Sequence, residues 1–299
     1  MILGIDIGGT STKLGLVKDG KVIRHGRIPT AGTDENVFAD AIADEARRMS
    51  EAPGEITAIG IGAPNGNQNS GCIELSANLP WKGIVPLAKM LSDRLGKRCV
   101  LGNDANAAGL GEWRYGAGRG CTDLLVVTLG TGLGSGFIVN SQLLIGTFGN
   151  AGELGHITLV IDGRECGCGR KGCLETYTNI QGIRRTFLEQ GGDEKILKEE
   201  GVLPVANALK AGDPIALKAF DLTARWLAIG LANAIAITTP QRIVLFGGIA
   251  RNGELLMGPL RKYFEPSMMN VFQGKVDLCL SELPEDDAGI LGAAALTTL

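Results

Sequence analysis

Two stretches of this 299-residue chain, 3–23 and 125–145, can be laid over one another without a gap. Each reads as an apolar strand, a glycine-rich turn, a second strand, a polar turn and a third strand. Gly8 falls on Gly130, and Asp19-Gly20 falls on Ser141-Gln142. Identity between the two is low, so the match is one of pattern. A strand-and-hairpin unit that occurs twice, each time with helical sequence after it, constrains the chain to two related α/β domains. A ligand cleft is expected in the gap between them. The expected boundaries are 1–115 for a small N-terminal α/β domain and 116–287 for a larger one, with a closing helix in 288–299 that packs back on the first.

Local signals fill in the rest. Asp19-Gly20 is a hairpin dipeptide. Asp34 is placed to cap a helix that runs to about Met49. Apolar runs predict strands at 56–61, 98–101, 124–129, 137–139, 143–145, 243–246 and 276–280. Helices are expected at 87–95, from Asp104 onward, and at 288–296. The uncharged stretch from Trp226 to Thr239 ends at Pro240 and is too short to span a bilayer comfortably, so it reads as a buried core helix.

Composition narrows the function classes. A net charge of -3 and a pI near 5.6 argue against a nucleic-acid partner. The 45 glycines cluster at strand ends, where they allow tight turns and close approach of backbone to ligand. Met1 runs directly into an apolar strand with no signal-peptide pattern. Seven cysteines in a chain of this size are not a disulfide framework. A cytoplasmic protein without a membrane partner is the expectation.

The glycine turns carry the first chemistry. Asp6-Ile7-Gly8-Gly9-Thr10-Ser11-Thr12-Lys13 and Gly130-Thr131-Gly132-Leu133-Gly134-Ser135 offer bare backbone N–H groups and hydroxyls, the donors a phosphate needs. Neither is a P-loop, because no Gly-Lys-Thr/Ser opens a helix. Either could be a plain tight hairpin. Asp6 favours a ligand site, since a carboxylate inside an apolar strand is costly unless paired or near a metal. There it can hold Mg²⁺ through water beside a nucleotide. Lys13 alternates toward solvent.

Gly102-Asn103-Asp104 follows a strand and begins a helix, which an ordinary N-cap would also explain. The pair also suits a polyol: Asn offers a donor and an acceptor, and Asp can take the proton of an attacking hydroxyl. Glu153 and Glu175 could extend such a hydroxyl-binding shell. His156 precedes Cys166-Gly167-Cys168-Gly169-Arg170-Lys171-Gly172-Cys173. One imidazole and three thiolates fill a tetrahedral zinc site with no open position, which is structural rather than catalytic. Free thiols or a redox pair are the alternatives. Cys72, Cys99, Cys121 and Cys279 sit in or beside apolar runs and read as core residues, and His25 as a surface strand residue.

Taken together, Asp6-x-Gly8-Gly9-Thr10, Leu129-Gly130-Thr131-Gly132-x-Gly134 and Phe246-Gly247-Gly248 resemble the phosphate and adenosine loops of the actin/hexokinase-like ATPase superfamily, over nearly the whole chain. The resemblance implies two actin-like (ribonuclease H-like) domains. It also implies that Gly8, Gly9, Thr10, Thr12, Thr131, Gly132, Gly247 and Gly248 line an ATP site, with Mg²⁺ near Asp6.

Glu153-x-Gly155-His156 and Cys166-x-Cys168-Gly169-x-x-Gly172-Cys173-x-Glu175 resemble the signature of the ROK family (repressors, open reading frames and sugar kinases). By that resemblance Asp104 is the catalytic base, and Asn103, Glu153, His156 and Glu175 hold sugar hydroxyls. Asn78, in Asn78-Leu79-Pro80-Trp81, matches a further sugar-side position. His156, Cys166, Cys168 and Cys173 would bind zinc, with the second ring nitrogen of His156 toward the sugar. The implied reaction is ATP-dependent phosphorylation of a hexose at C6, glucose first. Fructose, mannose, allose, N-acetylmannosamine and N-acetylglucosamine are the alternatives, as is a non-catalytic sugar-binding regulator. Specificity is expected to depend on loops such as 62–69 and 146–152. The residues do not separate ATP from polyphosphate as donor. A homodimer is implied by the family alone. A repressor's helix-turn-helix would have to precede the first strand, which starts at residue 2.

Overall fold

The computed structural model describes residues 1–52, 54–76, 79–198 and 201–298. The fold is α/β. Its strands are β1 (Ile2–Ile7), β2 (Ser11–Lys18), β3 (Lys21–Pro29), β4 (Ala58–Ala63), β5 (Gly66–Asn67), β6 (Cys72–Glu74), β7 (Ile84–Val85), β8 (Arg98–Asn103), β9 (Leu124–Leu129), β10 (Leu133–Val139), β11 (Gln142–Leu143), β12 (Arg242–Phe246) and β13 (Asp277–Leu280). Its α-helices are α1 (Glu35–Met49), α2 (Leu87–Leu95), α3 (Asp104–Tyr115), α4 (Glu175–Thr178), α5 (Ile180–Glu189), α6 (Leu203–Lys210), α7 (Pro214–Thr238), α8 (Glu254–Ser267) and α9 (Ala288–Ala295).

The strand order carries the duplication. One sheet runs β3-β2-β1-β4-β8 and another β11-β10-β9-β12-β13. In each, the last hairpin strand lies at one edge and two later strands lie beyond the first. β1, β4 and β8 are mutually parallel, as are β9, β12 and β13. The second polar turn departs from the gapless overlay. Asn140 and Ser141 take the left-handed conformation that Asp19 and Gly20 take in the first copy, one residue earlier than expected. The offset arises at the end of the second strand: β10 stops at Val139, one residue before the overlay places the end of β2, while both glycine turns hold three residues and differ only in closure, Gly8 N–H bonding to Ser11 O and Gly130 N–H to Gly132 O.

Contacts divide the chain into two compact units. The first comprises Met1–Cys121, Gly136–Gly152 and Glu282–Leu299, and the second Thr122–Ser135 and Glu153–Ser281. In the first, alternating residues of β1 and β2 (Leu3, Ile5, Leu14, Leu16) pack against Phe38, Ile42 and Ala46 of α1 and Leu87 and Leu91 of α2. Asp34 caps α1, its Oδ1 accepting from Asn36 N–H at 2.8 Å. The other face of the sheet is stripped of side chains at Gly4, Gly15 and Gly60, where α9 packs.

The second unit is built around α7. This helix begins twelve residues before the apolar stretch seen in sequence, because Asp213 caps it through Ile215 and Ala216 N–H, both at 2.8 Å, and Pro214 fits its first turn. By length and composition α7 could cross a membrane. Its Leu227, Leu231 and Ile235 are fully buried in the protein.

Candidate functional site

β8 delivers Asn103 and Asp104 to the start of α3. Asn103 Oδ1 accepts from Ala105 N–H at 2.9 Å and Asn106 N–H at 3.2 Å, so its oxygen is committed to the helix cap. Its amide nitrogen is the group left for a ligand. Asp104 Oδ1 accepts from Ala105 N–H at 2.9 Å, and the residue remains exposed. Crowding by surrounding protein atoms raises its pKa above the ordinary carboxylate value, partly offset by the backbone N–H bonds. A carboxylate that is both accessible and more basic than usual is suited to accepting a proton.

Asp6, at the end of β1, has its pKa pushed up to about 6, first by burial and then by the charge of Asp104; Lys13 opposes the rise. Among the described residues the Asp6 carboxylate accepts no hydrogen bond. A half-buried carboxylate without a donor is a fitting ligand or water-holder for a divalent cation. Lys13 itself pairs with exposed Asp286 at 3.5 Å.

The first glycine turn presents Gly9 and Thr10 to solvent, with Gly8 half-buried. Thr12 is fully buried, and its hydroxyl bonds to that of Thr30 at 2.8 Å. Alternation along β2 turns its side chain inward, where it ties the turn to the end of β3. In the second turn Thr131 is exposed, and its carbonyl accepts from Asn179 Nδ2 at 2.9 Å. Gly247, at φ 102°, and the exposed Gly248 follow β12. Asn78 lies outside the described residues.

The four expected metal ligands converge. One ligand atom each from His156, Cys166, Cys168 and Cys173 lies within 4.8 Å of all the others. His156 Nδ1 is 3.6 Å from Cys166 Sγ, and Cys168 Sγ is 3.6 Å from Cys173 Sγ. Tetrahedral bonds of about 2.0–2.3 Å put ligand atoms about 3.3–3.8 Å apart, so these two pairs have the spacing of a zinc site, and the donor set suits that ion. His156 Nε2 points away from the thiols, 3.9 Å from Glu153 Oε2.

The cysteine loop is joined to the second glycine turn by Glu175. Its Oε2 accepts from Leu133 N–H at 2.9 Å. Arg164, which the sequence did not single out, fixes the segment that follows. It is buried, donates to Thr176 O at 2.8 Å and Gly182 O at 3.1 Å, pairs with Glu189 at 2.6 Å, and lies over the Tyr177 ring at 4.5 Å. A lone arginine in a polar loop carries no signal that it will be buried.

The candidate residues thus fall into two groups. Asp6, Gly8, Gly9, Thr10, Thr12, Asn103 and Asp104 belong to the first unit, and Thr131, Gly132, Glu153, His156, the three cysteines, Glu175, Gly247 and Gly248 to the second.

A twice-used sheet with a glycine turn after the first strand of each copy defines the actin-like ATPase type of fold, here with an added loop on which one imidazole and three thiols converge. The sequence model of the ROK family matches residues 2–298. The chain belongs to the ROK family. It is 37% identical to a glucokinase of Thermotoga maritima, over 99% of this chain and 96% of that protein. It is 31% identical to an N-acetyl-D-glucosamine kinase of Haemophilus influenzae, over 99% of both. Among solved structures, a ROK family glucokinase from Streptomyces griseus in complex with glucose and AMPPNP superposes with a TM-score of 0.83, at 33% identity, covering 99% of this chain and 98% of that one.

Proposed function

We propose that this protein is an ATP-dependent hexose kinase that phosphorylates glucose at the C6 hydroxyl. The observation that carries the reading is Asp104, an accessible carboxylate of raised pKa beside the Asn103 amide at the first turn of α3. The likeness to glucokinases over nearly the full length of both chains supports it.

In this reading Asn103, Glu153, His156 and Glu175 hold hexose hydroxyls, and Asn78 is assigned to the same side. Backbone N–H groups of Gly8, Gly9, Thr10, Thr131 and Gly132 receive the phosphates, and Gly247 and Gly248 leave room for the adenosine. Asp104 takes the proton of the C6 hydroxyl as its oxygen attacks the γ-phosphorus. The new P–O bond forms as the bond to the β-phosphate bridging oxygen breaks, and ADP leaves. Positioning and charge stabilisation contribute most of the acceleration, and the base adds roughly 10²–10⁴-fold. Mg²⁺ near Asp6 supplies neutralisation of phosphate charge. Zinc on His156, Cys166, Cys168 and Cys173 braces the sugar side. The family resemblance also points to a homodimer, which light scattering would check.

ADP release on mixing the protein with ATP·Mg²⁺ and a panel of hexoses tests the reading. Turnover with glucose is expected. Binding without turnover would overturn the kinase assignment. A tenfold or greater advantage in kcat/KM for an N-acetylated sugar, the substrate class of the Haemophilus relative, would overturn glucose.

A further inference from the structure

The two loops expected to govern specificity are physically one object. Asn67, only 5% exposed, donates from Nδ2 to Phe148 O at 2.9 Å and to Glu74 Oε2 at 3.1 Å. Its Oδ1 accepts from Asn69 N–H at 2.9 Å, and Asn69 Nδ2 reaches Thr147 O at 3.0 Å. Ser70 Oγ holds the other oxygen of Glu74 at 2.8 Å. The backbone of Gly149 lies against the Asn67 amide so closely that any Cβ there would overlap Oδ1. Two asparagine amides therefore clamp the carbonyls of 147 and 148, about eighty residues away in sequence.

The clamp is seated at the candidate acceptor site. Ala63, at the end of β4, is in register with Asn103. Gly66 lies flush against the carbonyl of Gly102, the residue before Asn103, with no room for a side chain. The 146–149 segment runs on to Glu153. All of the clasp residues belong to the first unit. Four directed hydrogen bonds on one buried amide and its neighbour fix loop position far more tightly than a polar surface loop requires.

We infer that Asn67 and Asn69 are positioning residues that fix the 146–149 loop beside Asn103 and Asp104 and thereby set which hexoses are accepted. This rests on the hexose-kinase reading above. Loosening the clasp widens the site, so the effect falls on KM and on discrimination among sugars, while proton transfer to Asp104 is spared.

The test compares wild type with Asn69→Ala and Asn67→Ala, using glucose, mannose and N-acetylglucosamine at saturating ATP·Mg²⁺. We expect KM for the preferred hexose to rise at least fivefold with kcat within twofold. The ratio of kcat/KM between preferred and disfavoured hexoses should shrink at least fivefold. Asn69 is exposed, so its variant decides the matter if Asn67→Ala does not fold. A lower melting temperature with ratios within twofold of wild type assigns the asparagines a structural role only and overturns the inference. If wild type phosphorylates no hexose, the kinase reading fails and takes the clasp's role with it. If wild type is active and both variants keep its ratios, the clasp alone fails.

Discussion

Glu175 Oε2 accepts a 2.9 Å hydrogen bond from the Leu133 backbone N–H, inside the second glycine turn. The turn is shaped to receive it: a Cβ at Gly132 would stand 2.7 Å from that oxygen. Glu175 Oε1 lies 4.0 Å from Cys166 Sγ. One carboxylate thus joins the cysteine loop to the candidate phosphate turn, in addition to any hydroxyl it holds.

Glu175→Ala should therefore raise KM for ATP at least fivefold as well as weakening the sugar. Glu175→Gln keeps an oxygen acceptor for Leu133 and should leave KM for ATP within about twofold, since the neutral bond retains roughly 1 kcal/mol. Steady-state kinetics with each substrate varied separates the two. Equal KM for ATP in both variants would sever the turn from Glu175.

Gly289, in the first turn of α9, lies against the Asp6 carboxylate with no space for a Cβ. Gly289→Ala must displace that carboxylate. We expect kcat to fall by about 10²-fold and the Mg²⁺ concentration for half-maximal rate to rise, because a misplaced group near the chemistry costs that much. An unaltered Mg²⁺ titration would remove Asp6 from the cation site.

The raised pKa of Asp6 has a stability consequence with a definite sign. Below the ordinary value of 3.8 the carboxyl is protonated folded or unfolded, and contributes nothing; above about 6 the folded state bears the cost of a crowded charge. That cost is on the order of 1–3 kcal/mol, allowing for partial exposure. Asp6→Asn should match wild type in thermal melts at pH 3.5 and melt higher at pH 7. A difference that shrinks as pH rises would contradict the assigned cause.

Zinc removal is expected to act on fold and activity together. A chelator that strips one metal per chain, counted by emission spectrometry, should lower the melting temperature and reduce kcat/KM for the hexose. Cys173→Ser should do the same without chelator. A melting temperature unchanged after proven metal loss would contradict a structural site.

The repeated strand-and-hairpin unit and the convergence of His156 with the three cysteines were legible because each is a spacing pattern within a short window. Apolar runs located β9, α2 and α9 to within a residue. The sheet of β5, β6 and β7 was not legible, since strands of two or three residues have no period to read. The bond between the Thr12 and Thr30 hydroxyls was not legible, because it depends on how β2 and β3 pair. Asn67 and Gly289 left no trace, because their roles depend on partners about eighty residues or more away. The one-residue shift of the Asn140-Ser141 turn comes from β10 ending at Val139, a strand end that a gapless overlay does not encode.

The central claim is that Asp104 receives the proton of a bound hexose hydroxyl. Asp104→Asn is nearly isosteric and retains an oxygen acceptor for Ala105 N–H, so the start of α3 should survive. Calorimetric titration of glucose and single-turnover rates with ATP·Mg²⁺ should be measured on this variant and on wild type. The account predicts glucose affinity within about threefold and a phosphoryl-transfer rate reduced roughly 10²–10⁴-fold. A near-normal rate with normal binding would contradict it.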